Sequence, residues 1–206
     1  RRSRLEAFFA VGATASANAI INAIIRDDQT TALELLNTSS TPPASLRLFY
    51  GANLSVSSAS STPVQVISGA GDLFQFTVPS ATVGSAGNTF QYYIKATDKA
   101  NQTAFSCANP NAVSDADCVA SPFMVNVIAA GARSIIGTIR SGGSALADVK
   151  VYVGGYAKAA ETTDGAGAYS ITSLPSNNSF EITAYKNGYC DNKRFESMAS
   201  TNLTGI

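Results

Sequence analysis

The chain has 206 residues, with 14 Lys plus Arg balanced by 14 Asp plus Glu, and it contains neither His nor Trp. Balanced charge without a basic stripe gives little electrostatic basis for binding nucleic acid. The lack of His removes the usual near-neutral general base and the commonest metal ligand, which excludes His-dependent triads and HExxH zinc chemistry but leaves carboxylate, Lys or Tyr chemistry open.

Ser, Thr, Asn, Gly and Ala fill the spaces between short runs of Val, Ile, Phe and Tyr, the texture of all-β extracellular modules. No initiator Met or signal peptide opens the chain, and Arg1 reads as a processed or trimmed start. Leu5 to Ile25 reads as a helix, because Leu5, Phe8, Phe9, Gly12, Ser16, Ala19, Ile20, Ala23 and Ile24 can line one broad face at three-and-four spacing. Its length approaches that of a membrane span, and its small residues suit close helix packing. Polar content favours packing on the adjoining sandwich or a partner over membrane contact through residues 5–25. Asp27 and Asp28 break the pattern, and Thr30 to Leu36 reads as a second short helix. Thr41-Pro42-Pro43 then marks a boundary, since paired prolines favour an extended connector.

Strands follow in quick succession: Ser45 to Tyr50, Pro63 to Ile67, Leu73 to Pro79, Thr89 to Thr97 and Pro122 to Ile128. In the fourth, Phe90, Tyr92, Ile94 and Ala96 point one way and Gln91, Tyr93, Lys95 and Thr97 the other, ending in an Asp98/Asn101 turn. Leu46-x-Leu48-Phe49-Tyr50, Phe74-x-Phe76-x-Val78-Pro79 and Tyr92-Tyr93-Ile94-x-Ala96-x-Asp98 together resemble the later part of bacterial immunoglobulin-like (fibronectin III-like) modules. That family would place its opening strands before Ser45, where helices are expected, so this sandwich reads as incomplete or rebuilt at one edge.

Ala129-Ala130-Gly131 marks a second boundary, followed by strands over Ser134 to Arg140, Ala147 to Val153, Ala159 to Thr163, Ala168 to Leu174 and Phe180 to Tyr185. Several motifs occur here in order: Ile135-x-Gly137-x-Ile139, Leu146-Ala147-Asp148-Val149, Thr163-Asp164-Gly165-x-Gly167-x-Tyr169, Leu174-Pro175 and Lys186-x-Gly188-Tyr189. The series is similar to a carboxypeptidase regulatory-like, prealbumin-like sandwich. That resemblance implies an accessory module without zinc ligands, and its closing strand after Arg194 reads as partly missing. The expected fold class is therefore mainly β: an N-terminal helical segment (1–43), an immunoglobulin-like sandwich (44–130) and a carboxypeptidase regulatory-like sandwich (131–206).

Cys107 and Cys118 flank a polar loop, so a disulfide between them leaves Cys190 alone; three free thiols in a reducing compartment is the alternative. Asp27-Asp28, Asp98, Asp115 and Asp117 match no EF-hand spacing and read as turn or cap residues. The Gly-rich pieces read as hairpin turns, the Tyr residues 92, 93, 185 and 189 as core and rim packing, and the Asn-x-Ser/Thr triplets at 37, 53, 101, 177 and 202 carry no assigned role. No catalytic, cofactor or metal residue is expected. The function read from the sequence is a non-catalytic structural or interaction protein of the bacterial surface or extracellular space, such as a filament or appendage subunit or an adhesin. Its partners would be other protein chains, bound by strand addition or helix packing. The alternative is the accessory region of a secreted hydrolase.

Overall fold

The computed structural model describes residues 4–7, 10–26, 45–65, 72–98, 101–190, 192–199 and 201–205. In its first part the strands are β1 (Arg4–Ala7), β2 (Ala10–Thr14), β3 (Ala19–Arg26), β4 (Ser45–Gly51), β5 (Ala59–Ser61), β6 (Val64–Gln65), β7 (Leu73–Val78), β8 (Thr89–Thr97), β9 (Thr103–Ser106) and β10 (Phe123–Ile128). Two short helices intervene, α1 (Ser80–Val83) and α2 (Asp115–Ala120). The second part holds β11 (Arg133–Thr138), β12 (Arg140–Ser141), β13 (Ser144–Ala145), β14 (Lys150–Tyr156), β15 (Glu161–Thr162), β16 (Ala168–Leu174), β17 (Asn178–Tyr185), β18 (Asn192–Met198) and β19 (Leu203–Thr204).

In the first part, a sheet ordered β1-β3-β7-β6 faces the β2-β10-β8-β4-β5 portion of a ten-stranded sheet. They share one apolar core. Ile21, Ala23, Ile25, Phe74 and Phe76 come from one side, and Leu48, Phe90, Tyr92, Ile94, Val125 and Val127 from the other. β8 behaves as its alternation demands: Phe90, Tyr92, Ile94 and Ala96 fill this core while Tyr93 turns to the opposite face. In the second part, the sheet β16-β11-β19 shares a second core with β14, β17 and β18, built on Ile135, Val151, Val153, Ile171, Phe180 and Ile182. Gly131 enters this part with no room for a side chain, since an added Cβ would lie 1.9 Å from the carbonyl oxygen of Leu174.

The expected N-terminal helix over Leu5 to Ile25 is not formed; β1, β2 and β3 occupy that stretch. Ser16 turns the chain at φ 56°, a left-handed conformation outside the helical range. β3 is covered on both faces and is apolar from Ala19 to Ile25 except at the buried Asn22. Ile21, Ala23 and Ile25 enter the first core, whereas Ile24 packs with Leu73, Tyr152 and Tyr185. A strand buried on both sides reads as a continuous apolar run, which periodicity alone does not separate from a helix. The stretch before Ser45, where helices were expected, thus contributes strands that pair with β7 and β10. Around Arg194 the chain forms β18, paired with β17 from Asn178↔Met198 to Ala184↔Asn192. The short helix expected over Thr30 to Leu36, the Asp27-Asp28 break and the Thr41-Pro42-Pro43 connector lie outside the described residues. Among the described residues no helix is long and apolar enough to cross a membrane.

Candidate interaction surfaces and the disulfide loop

Three places gather side chains with chemistry beyond simple packing: the junction between the two cores, the loop between β9 and β10, and the open end of the second core.

β2 builds the junction. It runs parallel to β10 on one side (Asn126↔Gly12, Val127↔Ala13) and parallel to β14 on the other (Gly155↔Ala10, Tyr156↔Gly12), so one sheet continues through both parts. Gly12 is small for a reason: a Cβ there would meet Cδ2 of Tyr156 at 3.0 Å. The Tyr156 hydroxyl shares a hydrogen bond of 2.8 Å with Thr14 Oγ1, and burial pushes its pKa up. The backbone N–H of Asp72 donates to the Tyr185 hydroxyl at 2.8 Å, and Asn22 Nδ2 donates to the Lys158 carbonyl at 2.8 Å. Between these polar contacts Ile24, Leu73, Tyr152 and Tyr185 form a separate apolar cluster to which both parts contribute.

In the loop, Cys107 and Cys118 are bonded, with Cα atoms 5.4 Å apart. The bridge packs on Tyr93, whose ring stacks on Phe49 with centroids 4.8 Å apart. Asp115, in the first turn of α2, receives the Tyr93 hydroxyl at 2.8 Å and Lys95 Nζ at 2.7 Å, so the helix is tied to the outer face of β8. Burial first, then the Asp115 carboxylate, push the Tyr93 pKa up. Ser114 caps α2 by accepting from the Asp117 N–H at 3.2 Å, and Asp117 Oδ2 accepts from Val113 N at 3.0 Å and Ser114 Oγ at 2.8 Å. Those bonds, led by the one from Val113, lower the Asp117 pKa. Asp98 accepts from Gln102 N at 2.7 Å in its own turn. These aspartates are capping and bracing groups, and among the described residues no cluster of His, Cys, Asp or Glu could hold a metal.

At the open end of the second core lies a cleft of about 320 Å³ lined by Arg140, Lys186, Arg194, Tyr169, Tyr189 and Cys190 among others. Each cation is already engaged. Arg140 donates to the Gly143 carbonyl at 3.0 Å, Lys186 to the Ala147 carbonyl at 2.6 Å, and Arg194 pairs with Glu196. The Cys190 thiol is free and exposed. The tyrosines singled out in the sequence do not converge on one platform. Tyr92 is in the first core and its hydroxyl accepts from Ala10 N, Tyr93 lies under the disulfide, Tyr185 is in the junction, and Tyr189 is exposed.

Sequence reasoning missed the junction and β18. The alternation of Tyr152 against Val151 and Val153 carried a signal for the junction, because an outward-facing buried tyrosine requires a second covering layer.

No family model matches the chain, and no curated protein matches it in sequence. Among solved structures it is similar to BcpA, the major pilin subunit of Bacillus cereus (10% identity, 99% of this chain and 69% of that chain, TM-score 0.27). It is also similar to the Bacillus anthracis TIE protein (12% identity, 98% and 39%, TM-score 0.29) and to a marsupial T cell receptor (9% identity, 95% and 100%, TM-score 0.35). Likenesses at these scores carry nothing about the role of this chain. Its mainly β character and sheet order stand on the strand pairing described above.

Proposed function

We propose that the chain is a non-catalytic structural or interaction protein of the bacterial cell surface or extracellular space, working as a filament or appendage subunit or an adhesin through contacts with other protein chains. It consists, on this reading, of two β-sandwich modules. An immunoglobulin-like module runs to about 130 with the N-terminal strands built into it, and a carboxypeptidase regulatory-like module runs from 131 to 206. The observation that carries the reading is β2, hydrogen-bonded to β10 and β14 at once. Pulling the modules apart along the sheet would shear a parallel ladder and uncover the Tyr152/Tyr185 cluster in the same step, a construction suited to a stiff spacer. The Cys107–Cys118 bridge supports an oxidising setting.

The test is antibody labelling of intact cells that make the protein, with and without surface proteolysis. Labelling that proteolysis removes, together with loss of adhesion or appendages in a deletion strain, supports the reading. Protein confined to the cell interior overturns it, as does purified chain that turns over peptide or glycan and loses that activity when a single Asp or Glu is changed.

A further inference from the structure

We propose that β18 is a self-docking edge, through which two copies of the chain join their ten-stranded sheets by antiparallel pairing about a two-fold axis at Phe195. The proposal rests on the reading that the chain works by associating with other protein chains, and it names the partner as a second copy and the strand that binds it.

β18 stands last in the sheet order, and no described strand lies beyond it. All seven of its residues pair with β17 in unbroken register, and the backbone groups that point away from β17 meet no described strand. Edges of this kind are usually blunted by a proline, a bulge, extreme brevity or charged side chains. β18 has no proline or bulge and is seven residues long, and it carries Lys193, Arg194 and Glu196. Asn192, Lys193, Arg194 and Phe195 are exposed, and Phe195, at 74%, is the most exposed large apolar side chain among the described residues.

The strand's sequence selects the partner. In an antiparallel pair, residues whose backbone groups face outward must stand opposite one another, and such residues alternate along a strand. A two-fold pairing of β18 therefore centres on a single residue. Centred on Arg194 it would set two guanidinium groups face to face, and centred on Glu196 two carboxylates. Centred on Phe195 it places Arg194 opposite the partner's Glu196, Glu196 opposite the partner's Arg194, and Phe195 against the partner's Phe195. Opposite charges and aromatic pairs directly across a ladder are favourable, and like charges are not. The Arg-Phe-Glu order is thus complementary to itself in one register, and the neighbouring registers are penalised.

Charges on an edge strand can also serve to repel strands, but here Lys193 is drawn back along β17 by Glu181 at 3.0 Å. Arg194 and Glu196 already pair within the strand, with the Glu196 side chain 18% exposed, so docking exchanges this intrastrand pair for the same pair made twice across the axis. A closed two-fold contact of this kind ends in a dimer rather than an open fibre.

The experiment measures mass in solution by sedimentation over a wide concentration range for the full chain, for Arg194→Glu, for Glu196→Arg and for the combined exchange, with thermal melting to confirm that each variant is folded. The expected result is a wild-type monomer–dimer equilibrium, weakened at least about tenfold in either single variant and recovered in the double exchange. Recovery is the informative arm, because a merely structural role for the pair would not move the mass. In a Cys190→Ser background, Phe195→Cys should form an intermolecular disulfide on mild oxidation, since directly opposed Cβ atoms lie about 4.5–5.5 Å apart, and Glu196→Cys should not. Wild-type protein that is monomeric throughout, or single variants that dimerise as well as wild type, overturns the proposal. Self-association that survives every β18 variant rejects this edge while leaving the broader reading of an associating surface protein standing.

Discussion

Replacing Tyr152 with Ala tests whether the two cores are mechanically one. Tyr152 is fully buried, yet it faces away from the second core: its neighbours Val151 and Val153 enter that core, while Tyr152 meets Ile24, Leu73 and Tyr185. Truncating a buried aromatic to Ala costs roughly 3–5 kcal/mol, from lost transfer energy and the cavity left behind. For a chain of this size each 1 kcal/mol lowers the melting midpoint by about 2–4 °C, so the loss should be roughly 6–20 °C. The assay is calorimetry of the full chain. Wild type should melt in one transition. Tyr152→Ala should split it, because the damaged cluster couples the two cores while Val151 and Val153 still hold the second core together. Met124→Ala, at a side chain 48% exposed on β10, is the control and should stay within about 0.5 kcal/mol of wild type. A wild-type profile already in two transitions, with neither midpoint moved by Tyr152→Ala, would refute the coupling.

Peptide mapping without reduction should recover Cys107 joined to Cys118 and Cys190 alkylated; by the loop-entropy argument, removing the short closure should cost roughly 3 kcal/mol. Acid should loosen the start of α2. The folded pKa of Asp117 is lowered, so its contribution is complete above the unfolded value of about 3.9 and disappears as pH falls through the folded value. The protection of the Val113 amide, its exchange rate divided into the intrinsic rate at the same pH, should therefore fall as pH drops through the folded Asp117 value in wild type, and in Asp117→Asn the protection should not change with pH over that window.

What could be read from the sequence depended on how many faces of each strand are covered. β8 and β16 run over the residues expected of them, Thr89–Thr97 and Ala168–Leu174, because each leaves enough half-exposed positions between its buried ones for the alternation to show. β3 is covered on both sides and was legible only as an apolar run. β18 failed for the opposite reason. Asn192, Lys193, Arg194 and Phe195 are exposed and only Met198 is buried, so at the sheet edge no hydrophobic period remains to be seen. The aspartates near Cys118 were legible as caps, but the helix they cap is only six residues long, too short for a period of 3.6 to register. The junction needed the third dimension, because Gly12, Thr14 and Asn22 meet Tyr156 and Lys158 from more than a hundred residues away.

The small residues that made the N-terminal stretch look like a close-packing helix have a different use in the sheet. Ala10, Gly12 and Ala13 lie on the strand that pairs with both β10 and β14, and the space their side chains leave is taken by rings: Tyr156 against Gly12, and Tyr92, whose hydroxyl reaches Ala10 N. Gly12→Val should test this directly. Tyr156 cannot yield freely, being held by Thr14 at 2.8 Å and set edge-on against Phe180 with ring centroids 6.5 Å apart. A Cβ at 3.0 Å from its ring must therefore displace either the ring or β2, an overpacking cost of about 1–3 kcal/mol. The most sensitive reporter is the Ala157 amide, which donates to the Gly12 carbonyl at 2.8 Å across the junction. Its hydrogen exchange should accelerate in Gly12→Val while the amides of the β4–β8 pairing remain protected. Unchanged exchange at Ala157 would mean that β2 tolerates bulk at this position, and that small residues there serve something other than the junction.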